Sequence, residues 1–116
     1  MGIRATDVIQ SGETAIVLFT HGDNFRLDPK VGDGESGNWK ISTDSLEFVN
    51  RVIIYLRKHG EEKNRIFLGD YSGYRKSEEP GRLIVRFTGL KEIEGTDLNW
   101  IKFSGGSQNP AQIFSK

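Results

Sequence analysis

The chain has 116 residues, 35% of them apolar, with fourteen glycines, three prolines and no cysteine, and its 16 basic and 16 acidic side chains cancel. That length suits one domain spanning 1–116 and leaves no room for two. The missing cysteines exclude disulfides, thiolate metal sites and a cysteine nucleophile, and no window approaches the roughly 20 apolar residues that span a bilayer.

Residues 1–14 are polar and weakly patterned, a loosely held lead. Ala15-Ile16-Val17-Leu18-Phe19 is a short apolar run that reads as a buried strand. It stops at the turn-rich Thr20 to Asn24, and a polar loop with Gly32, Gly34 and Gly37 follows from Arg26 to Asn38. A loop this long in a small domain is usually functional. Trp39-Lys40-Ile41 closes it as a brief strand. Asp44 and Glu47 have the spacing of a helical turn through Val49. Arg51 to Arg57 is the strongest strand, β-branched and continuously apolar, and predicts burial on both faces.

The charged loop Lys58 to Asn64 leads to a strand over Arg65 to Tyr71, in which Gly69 predicts a bulge or close approach. Pro80-Gly81 turns the chain into Arg82 to Thr88, which alternates in side-chain character. Leu90 to Ile93 is a weaker pairing segment. Asn99 to Phe103 carries two aromatics, and Ala111 to Phe114 reads as a last edge strand. The whole predicts a mostly β fold: a small curled β-barrel of five to six strands with one or two short helical turns.

No catalytic pattern stands out. His21 and His59 lie on different loops, and the nucleophile-elbow, phosphate-loop and dinucleotide glycine motifs are absent. Asp23, Asp28, Asp33 and Glu35 cluster in the first loop, which leaves a metal-dependent nuclease as a third reading. The expectation is no enzyme, no cofactor and no bound metal. The absence of cysteine fits a reducing compartment, so the expected location is the cytoplasm, away from membranes, as a monomer or as a module of a longer protein.

Neutrality conceals a gradient. Residues 1–50 hold four basic and eight acidic side chains, residues 51–91 ten and five, and residues 92–116 two and three. A basic middle is where an anionic partner docks, although solvated strand faces produce the same pattern. Arg57, Lys58, Arg75, Lys76 and Arg82 fall around loops and strand ends that suit phosphate contacts. Phe25, Trp39, Tyr71, Tyr74, Trp100 and Phe103 stand beside polar or glycine-rich neighbours. Flat rings flanked by Asp23, Asn24, Ser36 and Asn38 suit the stacking and edge-reading of a base. A core role for Trp39 is an equal alternative, and for Trp100 it is the favoured one.

The segments AIVLF (15–19), SGNW (36–39), VNRVIIYLRK (49–58), RIFLGDYSGY (65–74) and GRLIVRFTGL (81–90) resemble the PUA-like superfamily, in particular its EVE and YTH members. Two features depart from that pattern. Val49-Asn50 replaces the usual Gly-Asp, and the Gly-x-Lys-x-x-Glu-x-Arg motif of the ASCH group is missing. The resemblance implies a curled barrel whose pocket is lined by Trp39, hydrogen-bonded through Ser36 and Asn38, and walled by Asp23, Asn24, Phe25, Tyr55 and Tyr71. It further implies recognition of a flipped, modified base in DNA or RNA, in some members as the sensor of a modification-dependent restriction system. The competing expectation is a protein–protein adaptor using the edge strand Ala111 to Phe114.

Overall fold

In the computed structural model, which describes residues 2–116, the strongest apolar run becomes the strand around which the rest is arranged. We number it β4 (Arg51–Leu56), and it is buried from Val52 to Leu56. Alternation sends Val52, Ile54 and Leu56 to one hydrophobic cluster and Ile53 and Tyr55 to another. Burial on both faces is therefore as expected. β1 (Thr14–Thr20) lies parallel beside it, from Ala15 opposite Arg51 to Thr20 opposite Leu56.

Across the charged loop, β5 (Arg65–Lys76) pairs antiparallel with β4, and β6 (Leu83–Glu92) pairs antiparallel with β5. Gly69 sits at a register shift between Leu68 and Asp70. A Cβ there would lie 2.9 Å from the Leu90 Cα, so the close approach predicted for this glycine is observed. β3 (Gly34–Trp39) pairs with β6, and β2 (Phe25–Leu27) pairs with β3. β7 (Ala111–Ser115) pairs with the far side of β1. The order β2-β3-β6-β5-β4-β1-β7 is one mixed, seven-stranded sheet.

Two expectations change. Seven strands replace five or six, because most of β2 and of β3 lies in the stretch Arg26 to Asn38 expected to be a loop. Gly34 hid the second of these: a Cβ there would collide with the Arg26 carbonyl of β2, so close pairing excludes the β-branched residues that usually announce a strand. The ladder also ends at β2 and β7, which are not paired to each other, so the sheet is open.

Short helices cover the face that carries Ile53 and Tyr55. α1 (Ala5–Val8) lies within the polar lead and packs through Ala5 and Ile9. α2 (Trp100–Ser104) is capped by Asn99, whose Oδ1 accepts from the Lys102 N–H at 2.9 Å, and it ends at Gly105 with φ 100°. Trp100 and Phe103, one turn apart, point into the sheet. The turn predicted at Asp44 is a single 3-10 turn, Asp44–Leu46.

Candidate functional site

The residues grouped by the sequence around Trp39 do not form one pocket. Trp39 is 7% exposed and belongs to the cluster of Val52, Ile54 and Leu56. Its indole N–H donates to the Ser36 hydroxyl at 3.2 Å, and Ser36 is itself fully buried. Each therefore satisfies the other, as burial requires. Phe25 and Tyr71 are half-buried against this same cluster, with the Phe25 ring 5.9 Å from Phe67 and 6.1 Å from Phe87. Burial raises the Tyr71 phenol above its ordinary value.

Asp23 and Asn24 are exposed on the β1–β2 connection. Asn24 takes a left-handed conformation, φ 56°, that an asparagine tolerates, and its carbonyl accepts from the Gly37 N–H at 3.0 Å. The Asn38 Oδ1 accepts from the Ser77 hydroxyl at 2.6 Å. Asn24, Asn38 and Arg75 do meet, at a polar cleft of about 290 Å³ with Arg26 and Ser77.

Tyr55 is on the opposite face, because it alternates with Ile54 and Leu56 along β4. Here the structure brings together an aromatic group: the Phe19 ring is 5.2 Å from Tyr55 and 5.3 Å from Trp100, and Tyr55 is 5.4 Å from Trp100 and 5.1 Å from Phe103. These edge and tilted contacts are the ones that ring quadrupoles favour. Phe19, Tyr55 and Trp100, with Arg57, Asn99 and Gln108, line a cleft of about 380 Å³ open to solvent. Tyr55 and Arg57 are among the site residues expected from the sequence, whereas Phe19, Asn99 and Gln108 are not, and a core role is the one expected for Trp100. Trp100 is in fact both, 6% exposed yet forming part of the cleft wall.

A hydrogen-bond network fixes the floor. The Tyr55 hydroxyl donates to the Leu98 carbonyl at 2.7 Å, and Asn64 Nδ2 donates to the Leu98 and Thr96 carbonyls at 3.2 and 3.3 Å. Arg57 Nη1 donates to Asn64 Oδ1 at 3.4 Å. Burial raises the Tyr55 phenol above its ordinary value, opposed by the Arg57 charge. Tyr55 thus stays neutral and remains a donor. His21 Nδ1 lies 3.1 Å from the Arg57 carbonyl, and its ring centroid is 5.0 Å from that of Phe19.

The basic middle divides when its partners are known. Arg75 forms a two-pronged pair with Glu35 at 2.8 and 3.1 Å, Arg65 pairs with Glu92, Arg51 with Asp70 and Arg82 with Glu79. Arg86 also approaches Glu35, at 3.8 Å. Among the described residues, Arg57, Lys58, Lys63, Lys76 and Lys91 have no ion-pair partner within 4.0 Å. Lys76 and Arg82 border a separate shallow cleft with Pro80. Of the five residues expected to contact phosphate, only Arg57 faces the aromatic cleft, with Lys58 next to it.

Glu35 of the acidic first loop is committed to arginines, and Asp28 Oδ1 accepts from the Lys30 N–H at 3.0 Å. Among the described residues no three His, Asp or Glu side chains come together as metal ligands, and no helix is long and apolar enough to cross a membrane. No protein-family model, curated protein or solved structure matches the chain.

Proposed function

We propose that this protein is a nucleic-acid-binding reader that takes one unstacked base into the cleft walled by Phe19, Tyr55 and Trp100, against their shared aromatic surface, with Lys58 and Lys63 of the β4–β5 loop meeting the adjacent phosphates. The observation that carries this reading is the cleft: aromatic walls, a fixed polar floor, and an unpaired arginine at its rim. Its volume of about 380 Å³ lies in the range of small-molecule sites. The resemblance of its segments to the PUA-like superfamily supports the class of ligand, a modified base sensed for a restriction system in the cytoplasm, with the sheet taken as a curled barrel opened between β2 and β7; it does not support the place, since the pocket it implies is the one around Trp39.

Binding of fluorescently labelled single-stranded DNA and RNA, followed by anisotropy, tests it. Phe19→Ala is expected to weaken binding by about 1–3 kcal/mol, the value of one stacked base. Binding is also expected to fall as salt rises. Salt-independent binding, or a Phe19→Ala variant that binds as the parent does, would refute the proposal.

An adaptor role has one observation in its favour. β7 is an edge strand, and the register on β1 turns the backbone of Ile113 and Ser115 away from the sheet, where a further strand can pair. Such binding would be insensitive to Phe19→Ala.

A further inference from the structure

The hydrogen-bonding capacity left free at the aromatic cleft is unbalanced, and the imbalance names a class of base. Three polar groups on its walls are already engaged. The Tyr55 hydroxyl donates to the Leu98 carbonyl, the Trp100 indole N–H donates to the Asn109 carbonyl at 3.0 Å, and Asn99 Oδ1 accepts from the Lys102 N–H. The wholly uncommitted group on Asn99 is its Nδ2, a donor. Arg57 has five N–H groups, one of which is directed to Asn64 at 3.4 Å, and no acceptor. The Gln108 amide has no partner among the described residues and is the one side chain of the wall whose donors and acceptor are all uncommitted. No carboxylate lines the cleft.

Gln108 is also well placed to act as a reader. Its loop is held on both sides: Gln112 Nε2 donates to the Ser107 and Asn109 carbonyls at 3.2 and 2.7 Å, and Ser104 donates to the Ser107 carbonyl at 3.2 Å. A loop fixed by its neighbours loses little entropy when its exposed amide binds.

Building on the reader function proposed above, we infer that the cleft selects bases with a keto oxygen at purine C6 or pyrimidine C4, guanine and thymine or uracil, over adenine and cytosine, which carry an amino group there. A keto base presents acceptors, O6 and N7 of guanine or O4 of thymine, to Arg57 and Asn99. An amino base directs its N6 or N4 donor at donors. Arg57 and Asn99 are exposed, so the mismatch forfeits a hydrogen bond that the keto base makes, without the added cost of a buried unsatisfied group.

The test uses labelled oligonucleotides that carry a single base, G, T, A or C, between abasic positions, so that the phosphates are constant. G and T are expected to bind about tenfold more tightly than A and C. Asn99→Asp keeps the helix cap, because aspartate caps as well as asparagine, but replaces a donor with an acceptor. It is expected to shrink or reverse that preference at unchanged melting temperature. Equal affinity for all four bases, above the fully abasic strand, overturns the keto selection and leaves the reader standing. A preference for A or C, or an undiminished gap in Asn99→Asp, overturns it as well. Affinity no better than the fully abasic strand removes the base reader and this inference together.

Discussion

The two tryptophans are placed on opposite faces of one sheet, and their surroundings differ in the respect that matters for binding. Around Trp39 the main polar groups are answered. Its N–H has Ser36, Asn38 has Ser77, and the nearby Arg75 and Arg82 have Glu35 and Glu79. Around Trp100 the apolar surface is shared between core and cleft, and Arg57 and Gln108 face solvent without a charged or hydrogen-bonding partner that fully engages them. A region that has satisfied its own groups stabilises the fold, and a region that has not is available to a ligand. The identity of the aromatic residue does not distinguish the two roles.

The largest expected effect would break this comparison if it fell on the wrong side. Trp39→Ala empties a core position and is expected to cost about 3–5 kcal/mol of stability, read as a large drop in melting temperature or denaturant midpoint. The milder Trp39→Phe removes the partner of a fully buried hydroxyl, and its cost is expected to be about 1–3 kcal/mol, part of which Ser36→Ala recovers. Neither change should alter the affinity of the folded protein for oligonucleotide. If Trp39→Phe weakens binding and leaves stability intact, the working face is the other one.

How much of this was legible in the sequence depends on whether the signal was local. β4 announces itself through Val52, Ile53, Ile54, Tyr55 and Leu56, and its alternation already separates Tyr55 from Ile54. α2 is five residues long, too short for a helical period to show, and left only the Asn99 cap and the Gly105 stop as signs. The face to which Trp39 turns was not legible, since it depends on a register shift against β6 between Ser36 and Trp39. Charge was legible in amount but not in pairing, because Glu35 lies 40 residues from Arg75 and Glu92 lies 27 from Arg65. The free arginine of the middle, Arg57, could be identified only after the others had found their partners in three dimensions.

An effect of intermediate size sharpens the electrostatic half of the comparison. Arg75 beside Glu35 and Arg65 beside Glu92 each hold a carboxylate below its ordinary value of 4.5. A carboxylate lowered in the folded state stabilises that state above the unfolded value, and the contribution disappears as pH falls through the folded one. Stability is therefore expected to be steady near neutrality and to decline on acidification below about pH 4.5, where the unfolded chain takes up protons first. Both pairs are partly exposed, which keeps the effect modest. Glu35→Gln with Glu92→Gln should flatten the decline in pH-dependent urea titrations. An equally steep decline in the double variant would show that other carboxylates set it.

The smallest effect discriminates most finely among the basic residues. A side chain that meets a phosphate releases counterions, so its removal lowers the slope of log affinity against log salt by about 0.7 on a single strand. Lys58→Gln is expected to produce that change, because Lys58 is exposed, carries no ion pair and follows Arg57 at the cleft rim. Lys76→Gln is the matched control: equally exposed and equally unpaired, but beside Pro80 at a different cleft. It should leave the slope unchanged. Arg75→Gln should also leave the slope unchanged while releasing Glu35 from its partner, which a small loss of stability would report. If Lys76 and Arg75 move the slope and Lys58 does not, the nucleic acid lies along the Asn24–Asn38 and Pro80 clefts, and the aromatic cleft at Trp100 is not where it binds.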